Sequence, residues 1–163
     1  SAVRLLKAEG AMEKACVVIA GSGKTGRFRM AAKKEGFSDK IVFAGLLRDI
    51  HEGLGASDVV VLPTFYDPCS RFILEGLAAG RPAITTKYNG ASEFFESDFG
   101  AVINDGDDVE GLADAMRYYT VRENIEKSSK AIRQSDILEK ISIERHVRHL
   151  IALYETILDR RSE

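Results

Sequence analysis

The sequence of 163 residues has little cysteine, little proline and no tryptophan, and it contains no long apolar run. Its two cysteines, Cys16 in a predicted buried strand and Cys69 in a predicted loop, give neither a disulfide framework nor a set of metal ligands. No apolar run approaches the roughly 20 residues of a membrane-spanning helix, and no charged-then-apolar leader opens the chain. We therefore expect no transmembrane or signal segment in these residues, and a reducing, cytoplasmic environment.

An excess of one charge is also missing. Lys and Arg together number 23 and Asp and Glu 25, which leaves a formal net charge of −2. General nucleic-acid-binding proteins carry a strong basic excess, so we expect no nucleic-acid partner. With 45% hydrophobic residues, and without a low-complexity tract or a Gly/Ser linker, the sequence predicts one folded domain with an apolar core.

Short apolar runs alternate along the chain with longer stretches of helical periodicity. The runs predict five strands buried on both faces, at residues 16–20, 41–43, 59–62, 83–85 and 101–103. The stretches predict helices at residues 2–13, 25–35, 50–55, 70–79, 109–120 and 142–158, with a short helical turn at residues 91–95. This alternation is typical of an α/β, Rossmann-like three-layer domain with a mostly parallel sheet.

Both ends of this pattern leave alternatives open. The first element is the helix at residues 2–13, whereas a doubly wound fold begins with a strand. The residues are therefore either a fragment of a longer protein or a domain with an ordinary N-terminal helix. The helix at residues 142–158 has an apolar stripe that includes Val147, Leu150 and Ile151, which packs either on this sheet or on a partner domain outside these residues.

A glycine-rich loop, GSGKTG at residues 21–26, follows the first predicted strand and matches two phosphate-binding patterns in part. A P-loop needs a further glycine at the position of Val18, inside the strand, and a dinucleotide site needs an acidic residue at the end of the next strand, where none lies. Both interpretations are disfavoured. What remains is a tight turn, needed either for its geometry alone or for the close approach of a ligand to Gly21 and Gly23.

The most informative pattern lies in residues 57–82, which predict a buried strand, a polar loop and a helix. In an open parallel sheet, ligands bind beyond the carboxyl ends of the strands, where this loop lies. The unpaired N–H groups of the helix that begins near Ser70 favour an anion such as a diphosphate. Asp67 precedes that turn, and Glu75 lies about one and a half turns inside the helix. For Glu75, ribose binding and a structural role as an acceptor of backbone or lysine hydrogen bonds both stay open.

Together these residues resemble the C-terminal, donor-binding half of retaining glycosyltransferases of family 4, which have the two-domain GT-B architecture. The resemblance covers most of the chain and rests on the order of its segments, at residues 17–23, 42–45, 56–63, 67–82 and 89–93. It implies one half of a GT-B protein that binds a nucleoside-diphosphate sugar as substrate, without a metal or cofactor. The acceptor would bind to a separate N-terminal domain that is absent from these residues.

The resemblance also implies roles for individual residues of the 57–82 segment. Asp67 would be the catalytic residue that orients the transferred sugar at the reacting centre. The backbone amides of Ser70, Arg71 and Phe72 would hold the diphosphate, and Glu75 would bind the ribose of the nucleotide.

The glycine turns are assigned to the donor in the same way. Gly21 and Gly23 would lie against it, while Gly45 and Leu46, in the loop after the second strand, would line the pocket of the base. Two residues depart from the family's pattern: Asp67 stands where Glu is usual, and Ser70 stands where Gly is frequent.

The family stabilises the departing diphosphate with an Arg and a Lys upstream of the first helix, and these residues are outside the sequence. Leaving-group stabilisation needs such preorganised positive charge, so we expect the 163 residues alone to bind donor weakly and to transfer little sugar. The full-length protein would be a hexosyltransferase that transfers a sugar, with retained anomeric configuration, to a glycan or a lipid-linked glycan. Any contact with the inner face of a membrane would come through the full-length protein. The alternative is a non-catalytic nucleotide-binding or scaffold module.

Overall fold

The fold is taken from a computed structural model, which describes residues 1–96 and 98–160. The first half contains α1 (Ala2–Ala8), β1 (Val17–Ala20), α2 (Gly26–Lys34), a 3₁₀ turn (Ser38–Lys40) and β2 (Ile41–Gly45). The second half contains α3 (Ile50–Ala56), β3 (Val60–Leu62), α4 (Arg71–Ala78), β4 (Ala83–Thr86), a 3₁₀ helix (Gly90–Phe94), β5 (Gly100–Ile103), α5 (Val109–Tyr118), α6 (Arg122–Gln134), α7 (Ile137–Lys140) and α8 (Ile143–Asp159). The order confirms the Rossmann-like α/β class.

The strands pair in parallel throughout, as predicted, but they form two sheets. β1 pairs with β2, with Val17 opposite Ile41, and β4 lies between β3 and β5. Among the described residues no strand joins β1 to β3. The single mostly parallel sheet of the sequence prediction is therefore divided into a two-stranded and a three-stranded part. Helix α1 packs on α5, which also covers β4 and β5, so the helices link the two parts.

Burial differs between the two sheets. All four residues of β4 are buried, because the strand has a neighbour on each side and the helices α4 and α5 pack against it. In the smaller sheet, by contrast, Val18 is 58% exposed and Val42 is 51% exposed. The prediction that all five strands are buried on both faces is wrong for β1 and β2, and also for β5, where Val102 is 47% exposed. Cys16 was also predicted inside a buried strand; it precedes β1 and is exposed.

Helix α1 is shorter than its apolar pattern predicts. It ends at Ala8 because Gly10 adopts a left-handed conformation, with φ of 76°, and Ala11 N–H donates to the carbonyl oxygen of Leu6. This is the Schellman arrangement that terminates helices, and glycine adopts it without the steric cost of a Cβ atom.

Two helices near the C-terminus, α6 and α8, differ from what the sequence predicts. Helix α6 was not predicted, because its buried face consists of Ser128, Ser129 and Ile132 and so lacks an apolar period. Helix α8 lies where it was predicted, but none of its residues is buried. Its apolar stripe therefore packs closely on neither sheet within the described residues.

Candidate functional site

Helix α4, which begins at the candidate site, is capped by a side chain and packs on the core. Ser70 is its N-cap: the hydroxyl oxygen accepts a hydrogen bond from Ile73 N–H at 3.5 Å, and its carbonyl accepts one from Leu74 N–H. Ile73 and Leu77 are buried in the same apolar cluster as Val60 of β3. Because α4 follows the loop that leaves β3, its N-terminus lies beyond the carboxyl end of that strand.

Two amides at this N-terminus are open. Within the described part of the chain, the N–H groups of Arg71 and Phe72 donate no hydrogen bond. Ser70 N–H donates to Asn89 Oδ1 at 3.1 Å and is buried. Three amides, those of Ser70, Arg71 and Phe72, were expected to hold an anion, but the Ser70 amide is not free in this structure. The unpaired donors at the start of α4 are therefore the Arg71 and Phe72 amides, which lie at the positive end of the helix dipole.

Asp67 is held at the start of the loop by backbone bonds to the segment after β4. Its N–H donates to the Tyr88 carbonyl at 3.1 Å, and its carbonyl accepts from Gly90 N–H at 3.0 Å. Its side chain accepts a hydrogen bond from Cys69 N–H at 3.1 Å. The half-buried carboxylate is thus directed at the loop that leads into α4.

Glu75 forms an ion pair along the surface of α4. Its Oε1 lies 3.2 Å from Arg71 Nη2, and its side chain is 29% exposed whereas that of Arg71 is 89% exposed. For a structural role of Glu75, a backbone or lysine donor was expected; the observed donor is Arg71, four residues earlier. An exposed pair of this spacing contributes about 0.3–0.5 kcal/mol, so a ligand can replace it at small cost.

Asn89 was not singled out from the sequence, although its side chain connects the loop before α4 to β4 and to the 3₁₀ helix. It is fully buried, its Oδ1 accepts from Ser70 N–H and Ala91 N–H at 3.1 Å each, and its Nδ2 donates to Thr85 Oγ1 at 2.9 Å. The available signal was an Asn directly before Gly90 at a predicted turn, a position where Asn caps backbone amides.

The thiol of Cys69, in the loop before α4, has a raised pKa. Burial raises the pKa of its thiol, and the carboxylates of Asp67 and Glu93 raise it further. Glu93 belongs to the 3₁₀ helix after β4. The thiol is protonated at neutral pH, which makes it a weak nucleophile.

The predicted glycine residues form a second group, at the ends of β1 and β2. Gly21 N–H donates to the Gly45 carbonyl at 2.8 Å, and Gly45 has a left-handed φ of 72°. Leu46 follows with 73% of its surface exposed, and space around Gly23 is open. No hydrogen bond or ion pair of the described residues joins this group to the loop of Asp67. The structure therefore assembles the predicted residues in two groups, one on each sheet.

Two cavities lie away from the candidate site: one of about 210 Å³ beside Tyr119 and Ser128, and one of about 70 Å³ beside Leu77 and Ile137. In the described ranges no three His, Cys, Asp or Glu side chains are grouped as metal ligands. No helix there has the length and apolar character needed to cross a membrane.

This chain matches a family model of glycosyl transferases and the sequence of a named glycosyltransferase. The family model of "Glycosyl transferases group 1" matches residues 1–120. The lipopolysaccharide core biosynthesis glycosyltransferase LpsE of Rhizobium meliloti is 33% identical over 81 residues, which cover 50% of this chain and 24% of that protein.

Solved structures agree with the fold. A glycosyltransferase from Rickettsia africae superposes with a TM-score of 0.76 at 20% identity, over 96% of this chain and 43% of that one. HepE from Anabaena, solved in complex with UDP, gives a TM-score of 0.73 at 17% identity, over 94% of this chain and 44% of that one. The chain thus spans less than half the length of these relatives.

Proposed function

Because the chain belongs to the group 1 family of glycosyl transferases, we propose that it is the nucleotide-sugar-binding half of a retaining hexosyltransferase. The full-length protein transfers a sugar from a nucleoside diphosphate to a glycan or lipid-linked glycan. One observation carries the proposal: the N-terminal turn of α4 has two unpaired amides, with Asp67 before it and Glu75 in the following turn of the helix.

The diphosphate of the donor binds at the two open amides. Arg71 N–H and Phe72 N–H donate to phosphate oxygens, and the helix dipole adds favourable potential. Hydrogen bonds to a charged group contribute about 1.5–3 kcal/mol each. These donors also stabilise the negative charge that develops on the diphosphate as the bond to the sugar breaks. The UDP complex of HepE, whose fold is similar, supports this class of ligand.

The two carboxylates have different partners in the donor. Glu75 accepts hydrogen bonds from the ribose hydroxyls, which satisfy its half-buried carboxylate in place of Arg71. Arg71, 89% exposed, is then free to turn toward the phosphate. Asp67 orients the transferred sugar, and Gly45 and Leu46 line the base pocket. The amide donors and side-chain charges take the place of a metal ion.

The proposal includes a longer protein. The chain spans 24% of LpsE and 43–44% of the two solved structures, which supports the proposal that a separate domain binds the acceptor. The unjoined edges of β1 and β3 support the same conclusion, because a further parallel strand would unite the two sheets. The 163 residues alone then bind donor weakly and transfer little sugar. Two free cysteines among the described residues fit a cytoplasmic location.

Calorimetry tests the binding site directly. UDP-, GDP- and ADP-sugars are titrated into the chain and into Glu75→Ala, with Glu126→Ala as the control. Glu126 forms the same i,i+4 pair with Arg122, on α6 and outside the site. We expect Glu75→Ala to weaken binding about tenfold, or about 1.4 kcal/mol, and Glu126→Ala to leave it unchanged. Equal affinity in the two variants would remove Glu75 from the site.

Transfer activity separates the enzyme from a scaffold module. In the full-length protein, Asp67→Asn keeps the acceptor oxygen for Cys69 N–H and removes the charge. We expect donor affinity to persist and sugar transfer to fall at least about 100-fold. A wild-type full-length protein that binds nucleotide sugar and transfers none would support the module instead.

A further inference from the structure

We infer that Asn89 is a positioning residue for the diphosphate. Its amide group holds the loop at residues 67–70 against β4, which presents the amides of Arg71 and Phe72 to the anion and withdraws that of Ser70 from it. The inference rests on the proposed function, since the anion is the diphosphate of the donor.

Asn89 ties the site to a rigid part of the core. Its Oδ1 accepts hydrogen bonds from two amides, Ser70 N–H before α4 and Ala91 N–H in the 3₁₀ helix, while its Nδ2 donates to Thr85 Oγ1. Thr85 in turn donates to the Leu62 carbonyl of β3 at 2.9 Å. One buried side chain thus connects α4 to two neighbouring strands of the larger sheet.

The loop before α4 has few other attachments. It contains no regular secondary structure between Leu62 and Arg71, apart from the single bridge between Asp67 and Asn89. The bridge fixes the loop at Asp67 through backbone bonds, and the Asn89 side chain fixes it three residues later at Ser70. This second attachment lies directly before the Arg71 and Phe72 amides, and it acts together with the N-cap bonds that Ser70 accepts from Ile73 and Leu74.

Without the Asn89 side chain, the amide of Ser70 would have no hydrogen-bond partner. Ser70 is 5% exposed, so removal of the Asn89 side chain leaves its N–H buried and without a partner. A buried donor without a partner is unfavourable, and the loop has to move to satisfy it. That movement turns the Arg71 and Phe72 amides away from the orientation that binds phosphate.

Three variants separate positioning from general stability. Asn89→Ala removes all of its side-chain bonds. Asn89→Ser keeps a short acceptor that caps Ala91 N–H, as serine does at helix starts, but it is too short to reach Ser70. Thr86→Val is the matched control: Thr86 is fully buried on β4 and its hydroxyl donates to the Thr64 carbonyl at 2.7 Å. Its backbone carbonyl, which valine retains, accepts from Asn89 N–H at 3.1 Å, so the substitution leaves every bond of the Asn89 side chain in place.

The affinity for UDP is measured by calorimetry, and the melting temperature of each variant is measured alongside. We expect both Asn89 variants to weaken UDP binding about tenfold or more, and Thr86→Val to keep wild-type affinity despite a lower melting temperature. Asn89→Ser carries the test if Asn89→Ala does not fold. Wild-type UDP affinity in Asn89→Ser, or an equal loss in Thr86→Val, would overturn the inference.

A ligand-free measurement separates this inference from the proposed function. Amide hydrogen exchange and ¹⁵N–¹H spectra report on Ser70, Arg71 and Phe72 without any nucleotide. We expect faster exchange at Ser70 and shifted Arg71 and Phe72 signals in Asn89→Ser, and neither change in Thr86→Val. Unchanged signals would overturn the positioning role. Shifted signals in a protein that binds no nucleotide would support the positioning and contradict the proposed function.

Discussion

Gly90→Ala tests how closely two loops approach each other behind the candidate site. A Cβ atom at Gly90 would overlap the carbonyl oxygen of Pro68 and would lie 3.0 Å from its carbonyl carbon. Both atoms belong to the backbone, so neither can turn aside as a flexible side chain would. The loop at residues 67–70 must shift relative to the segment after β4.

The magnitude follows from the cost of inserting a methyl group into a packed site, which is about 1–3 kcal/mol. For a chain of this length, each kcal/mol lowers the melting temperature by about 2–4 °C, so we expect a decrease of about 2–12 °C. Gly55→Ala is the control, since a Cβ atom there meets nothing within 4 Å, and Gly55 lies in helix α3. That variant gains up to about 1 kcal/mol from the higher helix propensity of alanine.

Thermal unfolding followed by circular dichroism measures both variants. The same samples are titrated with UDP, and we expect Gly90→Ala to weaken binding because the shift moves the turn at Arg71 and Phe72. A Gly90→Ala protein that melts within about 1 °C of wild type would refute the argument that the two loops are in rigid contact.

Two further predictions concern titratable groups. In a Cys16→Ser background, iodoacetamide should modify Cys69 more slowly than free cysteine at pH 8, because the raised pKa of the thiol leaves less thiolate. Bound UDP should slow the modification of Cys69 further. A rate equal to that of free cysteine would contradict the environment assigned to Cys69. Asp108 caps α5, and backbone hydrogen bonds from Gly111 and Asn104 lower the pKa of its carboxyl below the usual 3.8. The Asp108 carboxylate stabilises the folded state above pH 3.8, and this contribution is lost as the pH falls through the lower pKa of the folded state. Asp108→Ala should therefore lower the melting temperature at pH 7 and have less effect near pH 2. A difference in melting temperature that does not change with pH would disprove the linkage.

Much of the fold could be predicted from local pattern. The starts of α4 and α5 lie within one residue of prediction, because a side-chain cap precedes an apolar period in each. Strands β3 and β4 were likewise located within one residue. Helix α6 escaped prediction because small polar residues, Ser128 and Ser129, occupy the face where an apolar period is sought.

The features that sequence reasoning missed depend on contacts between distant segments. The division into two sheets follows from which strand edges meet, and the apolar runs alone carry no information about that. The amide of Ser70 was expected to be open, as the first amides of a helix usually are. Asn89, 19 residues later, occupies it, and only the approach of the two loops brings these residues together.

The central claim is that the start of α4 binds the diphosphate of a nucleotide, and a titration of the ¹⁵N-labelled chain with UDP tests it. Helix α6 is an internal control, because its start has no side-chain cap and any general anion effect should appear there. We predict saturable shifts that are largest at the Arg71 and Phe72 amides, with little change at Arg122 and Glu123. Shifts of equal size at both helices, or none at α4, would contradict the account.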